Sequence, residues 1–209
     1  MIYTIGHSTH DPEQFFKIAG GRFTTLIDVR SHPTSRWPWW DHAMCERWLP
    51  FKHIKYEWCP ALGGWNVRHA EWAPHFDGFG VDIRPYTKGK FPKQRIADNI
   101  EVLNGPRWTN VGLRDYSFFM TLPEFINSAN HLAERIDNIA IMCAEAHWWR
   151  CHRSMISDYL WFKGVDSYHI MSPRVATPHS QVVGNRLERY EPVVLRAWGE
   201  RGIDTNPSA

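Results

Sequence analysis

A cysteine and a glutamate follow a short apolar run in the second half of the sequence, and a cationic stretch comes soon after them. The run 139–142 is apolar and partly β-branched, which is typical of a buried strand, and Cys143 and Glu145 lie at its end. Helical spacing of apolar residues begins at Arg153. The free N–H groups and the dipole of a helix N-terminus favour an anion. The stretch therefore predicts an anion-binding site that contains a thiol and a carboxylate.

Cys143 has two interpretations, which the sequence leaves open. Beside arginines and a helix N-terminus, the pKa of a thiol falls below about 8.5, so that a thiolate is available as a nucleophile at neutral pH. A cysteine of this kind carries the covalent intermediate in a thiol-dependent enzyme of the rhodanese or phosphatase type. Alternatively, Cys143 is a small buried apolar residue, as free cysteines commonly are.

Glu145 and Asp28 are a candidate pair of carboxylates for acid and base chemistry. Asp28 lies within a second apolar run, 24–29, which ends at Arg30. Such a pair suits hydrolysis of an N-glycosidic bond, because one carboxylate stabilises the positive charge that grows on the sugar while a second group activates water. In the alternative interpretation the carboxylates form structural ion pairs, Asp28 with Arg30 or Glu145 with Arg153.

Four histidines are expected near the same place as bases, phosphate donors or metal ligands: His7, His152, His169 and His179. No H-x-x-x-H or H-E-x-x-H spacing occurs, and adjacent residues such as Cys151 and His152 rarely bind one ion together. We therefore predict neither a metal ion nor another cofactor.

Tryptophans and basic residues are interleaved between positions 36 and 95. The chain has 12 tryptophans, and this mixture is typical of surfaces that stack nucleobases and bind phosphates. The alternative is an aromatic minicore beneath a long loop, which would take about half of the tryptophans. The predicted substrate-binding residues are Arg30, Arg36, Arg153, Ser154, Trp37, Trp39, Trp40 and Trp65. The predicted catalytic residues are Glu145, Asp28, Cys143, His7 and His152.

Alternating strands and helices are needed to bring these residues together. A strand at 2–6, a helix that begins near Asp11 and Pro12, and a strand at 24–29 make a βαβ unit, whose parallel strands end at one edge of a sheet. Further strands are predicted at 55–59, 139–142 and 166–171, further helices at 41–49, 94–103, 122–136, from 153 onward and at 181–196, and a short strand or turn at 108–113. The region 33–95 is predicted to be an irregular insertion or lid.

The length, net charge and cysteine content of the chain are compatible with one domain of α/β class. A chain of 209 residues can bury a core of its own, and its net charge of +2 neither requires nor excludes nucleic acid. No apolar run approaches the length of a membrane span, and four scattered cysteines do not make a disulfide scaffold. We expect a cytoplasmic protein with reduced thiols and no membrane contact.

Several motifs resemble the bacterial domain of unknown function 488 family. They are TIGHS at 4–8, IDVRSHPTSR at 27–36, ALGG at 61–64, DYSFFMTLPEF at 115–125, MCAE and RCHRS within 142–154, and YHI at 168–170. The MCAE and CHRS pair is the specific part of the resemblance, which spans most of the chain in the right order. It implies a single Rossmann-like α/β domain with a mainly parallel sheet and helices on both faces. It implies no particular reaction, and the stretch 37–95 is more aromatic than the family pattern.

These features together predict an enzyme that acts on a phosphate-bearing, nucleobase-containing substrate. A glycosidase-type hydrolase of a nucleotide or of DNA, such as a glycosylase in DNA repair, fits the carboxylates and the tryptophans best. Two alternatives remain: a thiol-dependent enzyme that uses Cys143, and a module that binds nucleic acid or nucleotides without catalysis.

Overall fold

The strands form one mainly parallel sheet. The computed structural model describes residues 1–64, 110–190 and 192–199. Within these ranges the strands are β1 (Ile2–Gly6), β2 (Thr25–Asp28), β3 (Lys55–Trp58), β4 (Ile139–Cys143), β5 (Ser167–Ile170) and β6 (Ala176–Pro178). Their order is β3-β2-β4-β1-β5-β6, and every neighbouring pair is parallel except β5 with β6. This confirms the predicted α/β class with a mainly parallel sheet.

Helices cover both faces of this sheet. In the described ranges they are α1 (Pro12–Ala19), α2 (His42–Trp48), α3 (Val111–Phe119), α4 (Pro123–Ala133), α5 (Arg153–Phe162) and α6 (Pro192–Trp198). The helix α1 begins as predicted, because the Asp11 carboxylate accepts a hydrogen bond from the Gln14 amide. It ends just before Gly20, which adopts a φ of 62°. None of the helices in the described part of the chain has the length and apolar character that crossing a membrane requires.

The alternation of side chains along β4 shows how the two faces are filled. Ile139, Ile141 and Cys143 point into a cluster that contains residues of α3, α4, α5 and α6. Ala140 and Met142 point into the opposite cluster, which contains residues of α1 and α2. Because β4 is buried on both faces, its sequence reads as a continuous apolar run. The helices on both faces were predicted and are confirmed.

The segment 33–64 is more regular than the predicted insertion. It contains α2 and β3, as the short helix at 41–49 and the strand at 55–59 predicted. Asp41 precedes α2 but does not cap it, since its carboxylate accepts a hydrogen bond of 2.6 Å from the Ser35 amide instead. The remainder of the predicted insertion, the predicted helix at 94–103 and Trp65 lie outside the described residues.

Two elements differ from the sequence prediction. The prediction of a strand or turn at 108–113 is wrong for the described residues of that segment, because α3 begins at Val111. The Asn110 side chain accepts hydrogen bonds from the amides of Gly112 and Leu113, and this capping starts the helix. The strand at 166–171 is confirmed as β5, but the short antiparallel β6 that follows it was not predicted.

The long helix predicted at 181–196 is also wrong. That region contains the end of the 3-10 turn His179–Gln181 and the 3-10 turn Arg186–Arg189, and the short α6 begins only at Pro192. Gly184 adopts a φ of 47°, which is outside the helical region. Pro192 is found at the first position of α6, because proline fits a helix start but interrupts a helix interior.

Candidate functional site

The polar residues after β1, β2 and β4 meet at one edge of the sheet. Gly6 is paired with Cys143 across the two central strands. The His7 amide donates a hydrogen bond of 3.0 Å to the Cys143 carbonyl, and the Val29 amide donates one of 3.0 Å to the Met142 carbonyl. These contacts bring the ends of the three strands side by side, in the arrangement that the sequence predicted.

A pocket of about 350 Å³ lies at this edge. Its wall is formed by the loops that follow β1, β2 and β4. The lining residues are His7, Ser8, Thr9, Thr34, Ser35, Arg36, Trp37, Ala144, Glu145 and Ala146. Four of the predicted site residues are therefore brought together here: His7, Arg36, Trp37 and Glu145.

Glu145 supplies a partly solvated carboxylate to the pocket. Its side chain is 45% exposed, and Oε1 accepts a hydrogen bond of 3.3 Å from the His147 amide. Its backbone carbonyl accepts a hydrogen bond from the guanidinium of Arg153. The carboxylate itself is not paired with Arg153, so the predicted structural ion pair between these residues is absent among the described contacts. Glu145 is thus held by its backbone while its side chain lines the cavity.

An arginine and an indole line the pocket, and a second indole packs on the first. The guanidinium carbon of Arg36 lies 5.4 Å from the ring centroid of Trp37, within the range of a cation–π interaction. Trp37 stacks on Trp39 with a centroid distance of 5.6 Å and an interplanar angle of 22°. The Trp39 indole donates a hydrogen bond of 3.1 Å to the His10 carbonyl. Arg36 is exposed and Trp37 is half-buried, so both are accessible at the pocket.

His7 contributes a neutral imidazole. Its Nδ1 lies 3.0 Å from the Ser8 carbonyl and must carry the proton, because a carbonyl only accepts. Its Nε2 lies 3.4 Å from the guanidinium of Arg30, and its ring stacks on Trp40. Burial, followed by the positive charge of Arg30, lowers the pKa of His7 to about 4. The predicted role of His7 as a base remains a prediction.

Asp28 and Arg30 form a buried ion pair next to His7. Their side chains are 0% and 6% exposed, and Arg30 Nε donates to both carboxylate oxygens of Asp28, at 2.9 and 3.0 Å. The Tyr56 hydroxyl donates to Asp28 at 2.8 Å, and Arg30 also donates to the Trp40 carbonyl at 2.7 Å. This is the structural ion pair that the sequence analysis gave as the alternative interpretation of Asp28. Both charged groups are therefore bound by other groups of the protein.

Cys143 and Cys151 differ in the direction of their pKa shifts. The lowered pKa is found at Cys151, whereas Cys143 is buried, in keeping with its interpretation as a small buried residue. The two thiols are buried side by side, and the hydrogen bond between them, together with burial, holds the pKa of Cys143 well above its ordinary value. Burial alone would also raise the pKa of Cys151. The hydrogen bond from Cys143 and the positive charge of Arg153 outweigh it and hold the pKa of Cys151 well below its ordinary value. All four cysteines are free.

The residues after Cys151 are engaged with the protein itself. His152 Nε2 donates to the Val29 carbonyl at 3.1 Å, and its Nδ1 lies 3.7 Å from the sulfur of Cys151. Arg153 is 1% exposed and its Nε donates to the same sulfur at 3.4 Å. Ser154 is fully buried and donates to the Cys151 carbonyl at 2.9 Å. Contacts of Arg153 and Ser154 with a substrate therefore remain predictions. Their burial and their hydrogen bonds within the protein do not favour such contacts.

Membership of a family follows from the sequence match. The family model described as domain of unknown function DUF488 matches residues 13–89 and 94–160, which is more than half of the chain. The chain belongs to the DUF488 family. The matched ranges contain the ends of β2 and β4 and the start of α5, and thus Arg36, Glu145 and Cys151, whereas His7 precedes them. No curated protein and no solved structure matches the chain.

Some predicted site residues of this DUF488 member lie elsewhere. Trp40 is fully buried among core aromatics, and its ring centroid lies 4.6 Å from that of Phe15. This corresponds to the alternative of an aromatic minicore, and it leaves no ring face for a base. His169 and His179 were expected beside His7, but they are 0% exposed and lie 2.9 Å apart in a separate network.

Several residues of the site were not identified from the sequence. Ser8, Thr34 and Ser35 line the pocket, and all three lie within the motifs TIGHS and IDVRSHPTSR. Ser8 adopts a φ of 50°, which is uncommon for a residue other than glycine and occurs often at functional sites. The position of Cys151 beside Cys143 was not identified either.

Proposed function

We propose that this DUF488 protein is an enzyme that acts on a phosphate-bearing, nucleobase-containing substrate and hydrolyses its N-glycosidic bond. The observation that supports the proposal is the composition of one pocket, where the carboxylate of Glu145 shares a cavity with the guanidinium of Arg36 and the indole of Trp37. Its volume of about 350 Å³ is of the size that small-molecule sites have.

Arg36 and Trp37 suit the two ends of such a substrate. A guanidinium binds phosphate through paired hydrogen bonds in a fixed plane, and Arg36 is exposed at the pocket. An indole face stacks on a nucleobase whatever its sequence, and Trp37 is only half-buried. The ring of Trp37 is held in place by its stack with Trp39, so it is oriented before the base arrives.

Glu145 is assigned the chemical role. In hydrolysis of a glycosidic bond the sugar develops positive charge, and a nearby carboxylate stabilises it or removes a proton from the attacking water. Asp28 was the predicted partner of Glu145, but its carboxylate is buried and bound by Arg30 and Tyr56. The proposal therefore gives the catalytic role to Glu145 alone, while Asp28 and Arg30 form a structural ion pair beside His7.

The hydroxyl groups of the pocket complete the proposed binding mode. Ser8, Thr9 and Thr34 line the cavity. Hydroxyls both donate and accept hydrogen bonds, which matches the hydroxyls of a ribose or deoxyribose. The proposal therefore places the sugar between these hydroxyls and Glu145, with the phosphate towards Arg36.

A product screen tests the proposal. The protein is incubated with nucleoside monophosphates and with DNA oligonucleotides that carry modified bases, and the products are analysed by mass spectrometry. Release of a free base together with the matching sugar phosphate, or with an abasic site in DNA, is the expected result. Binding that weakens with salt but never gives a product would support the non-catalytic alternative instead. A substrate fragment attached covalently to a cysteine would support the thiol-dependent alternative.

A further inference from the structure

Cys143, Cys151 and His152 bring three metal-ligand groups together outside the pocket. We propose that these side chains bind a thiophilic divalent cation, with zinc as the preferred ion. One sulfur from each cysteine and one ring nitrogen of the histidine all lie within 4.8 Å of one another. This inference is independent of the proposed reaction, because it concerns a different set of side chains and is tested by metal content.

The spacing of the ligand atoms is close to that of a zinc site. Zinc binds sulfur at about 2.3 Å and nitrogen at about 2.0 Å in a tetrahedral arrangement, so that sulfur and nitrogen ligands lie about 3.6 Å apart. The sulfur of Cys151 lies 3.7 Å from Nδ1 of His152. Only small side-chain movements are needed for the three atoms to surround one ion.

The histidine is oriented in the way that metal-binding histidines usually are. Its Nε2 donates a hydrogen bond of 3.1 Å to the Val29 carbonyl, so that nitrogen carries the proton. The lone pair of Nδ1 is then directed at the cysteines. A second hydrogen bond of this kind fixes both the tautomer and the ring plane of a ligating histidine.

The backbone explains how adjacent residues can share one ion, contrary to our expectation from the sequence. Cys151 is extended, with φ −122° and ψ 150°, whereas His152 is helical, with φ −57° and ψ −19°. In a continuous strand or helix, neighbouring side chains diverge. At this junction the change of backbone conformation brings the sulfur of Cys151 and Nδ1 of His152 together.

The donor set favours zinc over harder cations. Two sulfurs and an imidazole suit zinc, whereas magnesium and calcium prefer oxygen ligands. When both cysteines are ionised, their two negative charges balance a divalent cation. Arg153 adds an N–H···S hydrogen bond to Cys151 at 3.4 Å, of the kind that stabilises a metal-bound thiolate. Three protein ligands leave a fourth position for water.

Metal binding would tie the end of β4 to the start of α5. Cys143 is the last residue of β4, and His152 directly precedes α5. The segment between them carries Glu145 and part of the pocket wall. An ion at this place would therefore hold that segment in position, and its removal would lower the melting temperature of the protein.

Metal content and cobalt spectroscopy test the inference. The reduced full-length chain is stripped of metal with a chelator, dialysed, and titrated with Zn²⁺ and with Co²⁺. We expect about one ion of either metal per chain, with a thiolate-to-cobalt charge-transfer band that zinc abolishes. Cys151→Ser and Cys143→Ser should each lose most of the bound metal. Cys59→Ser also removes one thiol, but it should bind the same amount of metal as the unchanged chain.

Three outcomes would overturn the inference. One is a reduced wild-type chain that gives no charge-transfer band with cobalt, a measurement that needs no variant to fold. Another is metal content in Cys151→Ser and Cys143→Ser that equals the content of Cys59→Ser. The third is a disulfide between Cys143 and Cys151 that forms in the purified protein even when zinc is present. None of these outcomes depends on the N-glycosidase activity.

Discussion

The guanidinium of Arg153 donates a hydrogen bond to the backbone carbonyl of Glu145. The first residue of a buried helix therefore holds the residue whose carboxylate lines the pocket. Arg153 is 1% exposed, whereas the Glu145 side chain is 45% exposed, so the contact connects the core to the solvent-facing site. A hydrogen bond from a charged group is worth about 1.5–3 kcal/mol, which is enough to fix the Glu145 backbone while its side chain stays accessible.

Trp37 and Trp40 should respond differently to truncation. Trp37→Ala removes a half-buried ring at the pocket, so we expect a Kd for the substrate that is roughly five- to 150-fold weaker, corresponding to about 1–3 kcal/mol per stacked base, with little change in stability. Trp40→Ala removes a fully buried ring, so the free energy of unfolding should fall by about 3–5 kcal/mol. Ligand titration and urea unfolding measure the two effects. Equal loss of stability in both variants would contradict the assignment.

The pair of Asp28 and Arg30 should behave as a structural element. Arg30→Met leaves the Asp28 carboxylate buried without its partner, and we expect the free energy of unfolding to fall by about 3–5 kcal/mol. Lys55→Met is the matched control. It breaks an ion pair of 2.8 Å with Glu57 in which the lysine is 70% exposed, and this should cost less than about 1 kcal/mol.

Urea unfolding of the two variants measures the difference between the pairs. If Arg30→Met is as stable as Lys55→Met, the buried pair is not structural. The catalytic interpretation of Asp28 would then regain support, because its carboxylate would tolerate the loss of its partner.

Stability should fall at acid pH because of a buried histidine. Burial, and then the charge of His179, lowers the pKa of His169 to about 2, while Arg153 and Arg186 lower it further and Asp158 opposes them. An unfolded histidine titrates near 6.5, so below that pH the unfolded chain binds a proton that the folded chain does not. The contribution of His169 to the free energy of unfolding is therefore fully present above pH 6.5. Below it, this contribution decreases by about 1.4 kcal/mol per pH unit.

The hydrogen bonds around His169 explain why its neutral form is preferred. Thr4 Oγ1 lies 2.8 Å from Nδ1 and His179 lies 2.9 Å from Nε2, while the ring of Trp148 stacks on the imidazole at 3.9 Å. Urea unfolding between pH 7.5 and 5 should show about 2 kcal/mol of lost stability from this group. His169→Gln should make the profile less steep, with His7, whose pKa is also lowered, supplying the slope that remains. His131→Gln, at an exposed position of α4, should leave the profile unchanged. A wild-type profile that does not fall towards acid pH would rule out this account.

Gly6 should not tolerate a side chain. A Cβ atom there would overlap the backbone carbonyl of Glu145 and approach Cα of Ala146, and backbone atoms cannot rotate away. Gly6→Ala should therefore lower the free energy of unfolding by about 1–3 kcal/mol and raise KM by displacing the pocket wall. Gly21→Ala is the comparison. Its φ of +69° would strain an alanine, but no atom lies within 4 Å of its Cβ, so this variant should lose stability without a change in KM. Unchanged KM in Gly6→Ala would contradict the link between β1 and the pocket.

The strands that build the site could be predicted from local sequence patterns. The apolar runs before His7, Arg30 and Cys143 marked three strands, and parallel strands necessarily end at one edge. The proximity of these three positions therefore followed from the topology. The topology does not determine which side chains pair with one another. Whether Asp28 binds Arg30 depends on the conformation of the turn after β2.

The features that the sequence analysis missed depend on loop conformation or on distant contacts. Cys151 lies beside Cys143 after a 3-10 turn, Trp148–Arg150, and spacing alone does not specify such a turn. Similarly, His169 and His179 are joined by the antiparallel β6, which is only three residues long. The prediction of a helix at 181–196 was wrong because it relied on the charged composition of the segment. It gave too little weight to Gly184 and Pro192, which interrupt a helix.

The rate of base release by Glu145→Gln is the most direct test of the proposed function. Glutamine keeps the size of the side chain but removes the charge and the base, so we expect base release to slow by about 10²- to 10⁴-fold while substrate binding persists. Glu134→Gln neutralises an exposed carboxylate at the end of α4 and serves as the control, which should retain the wild-type rate. A Glu145→Gln variant that releases base as fast as Glu134→Gln would contradict the assignment of Glu145 as the catalytic carboxylate.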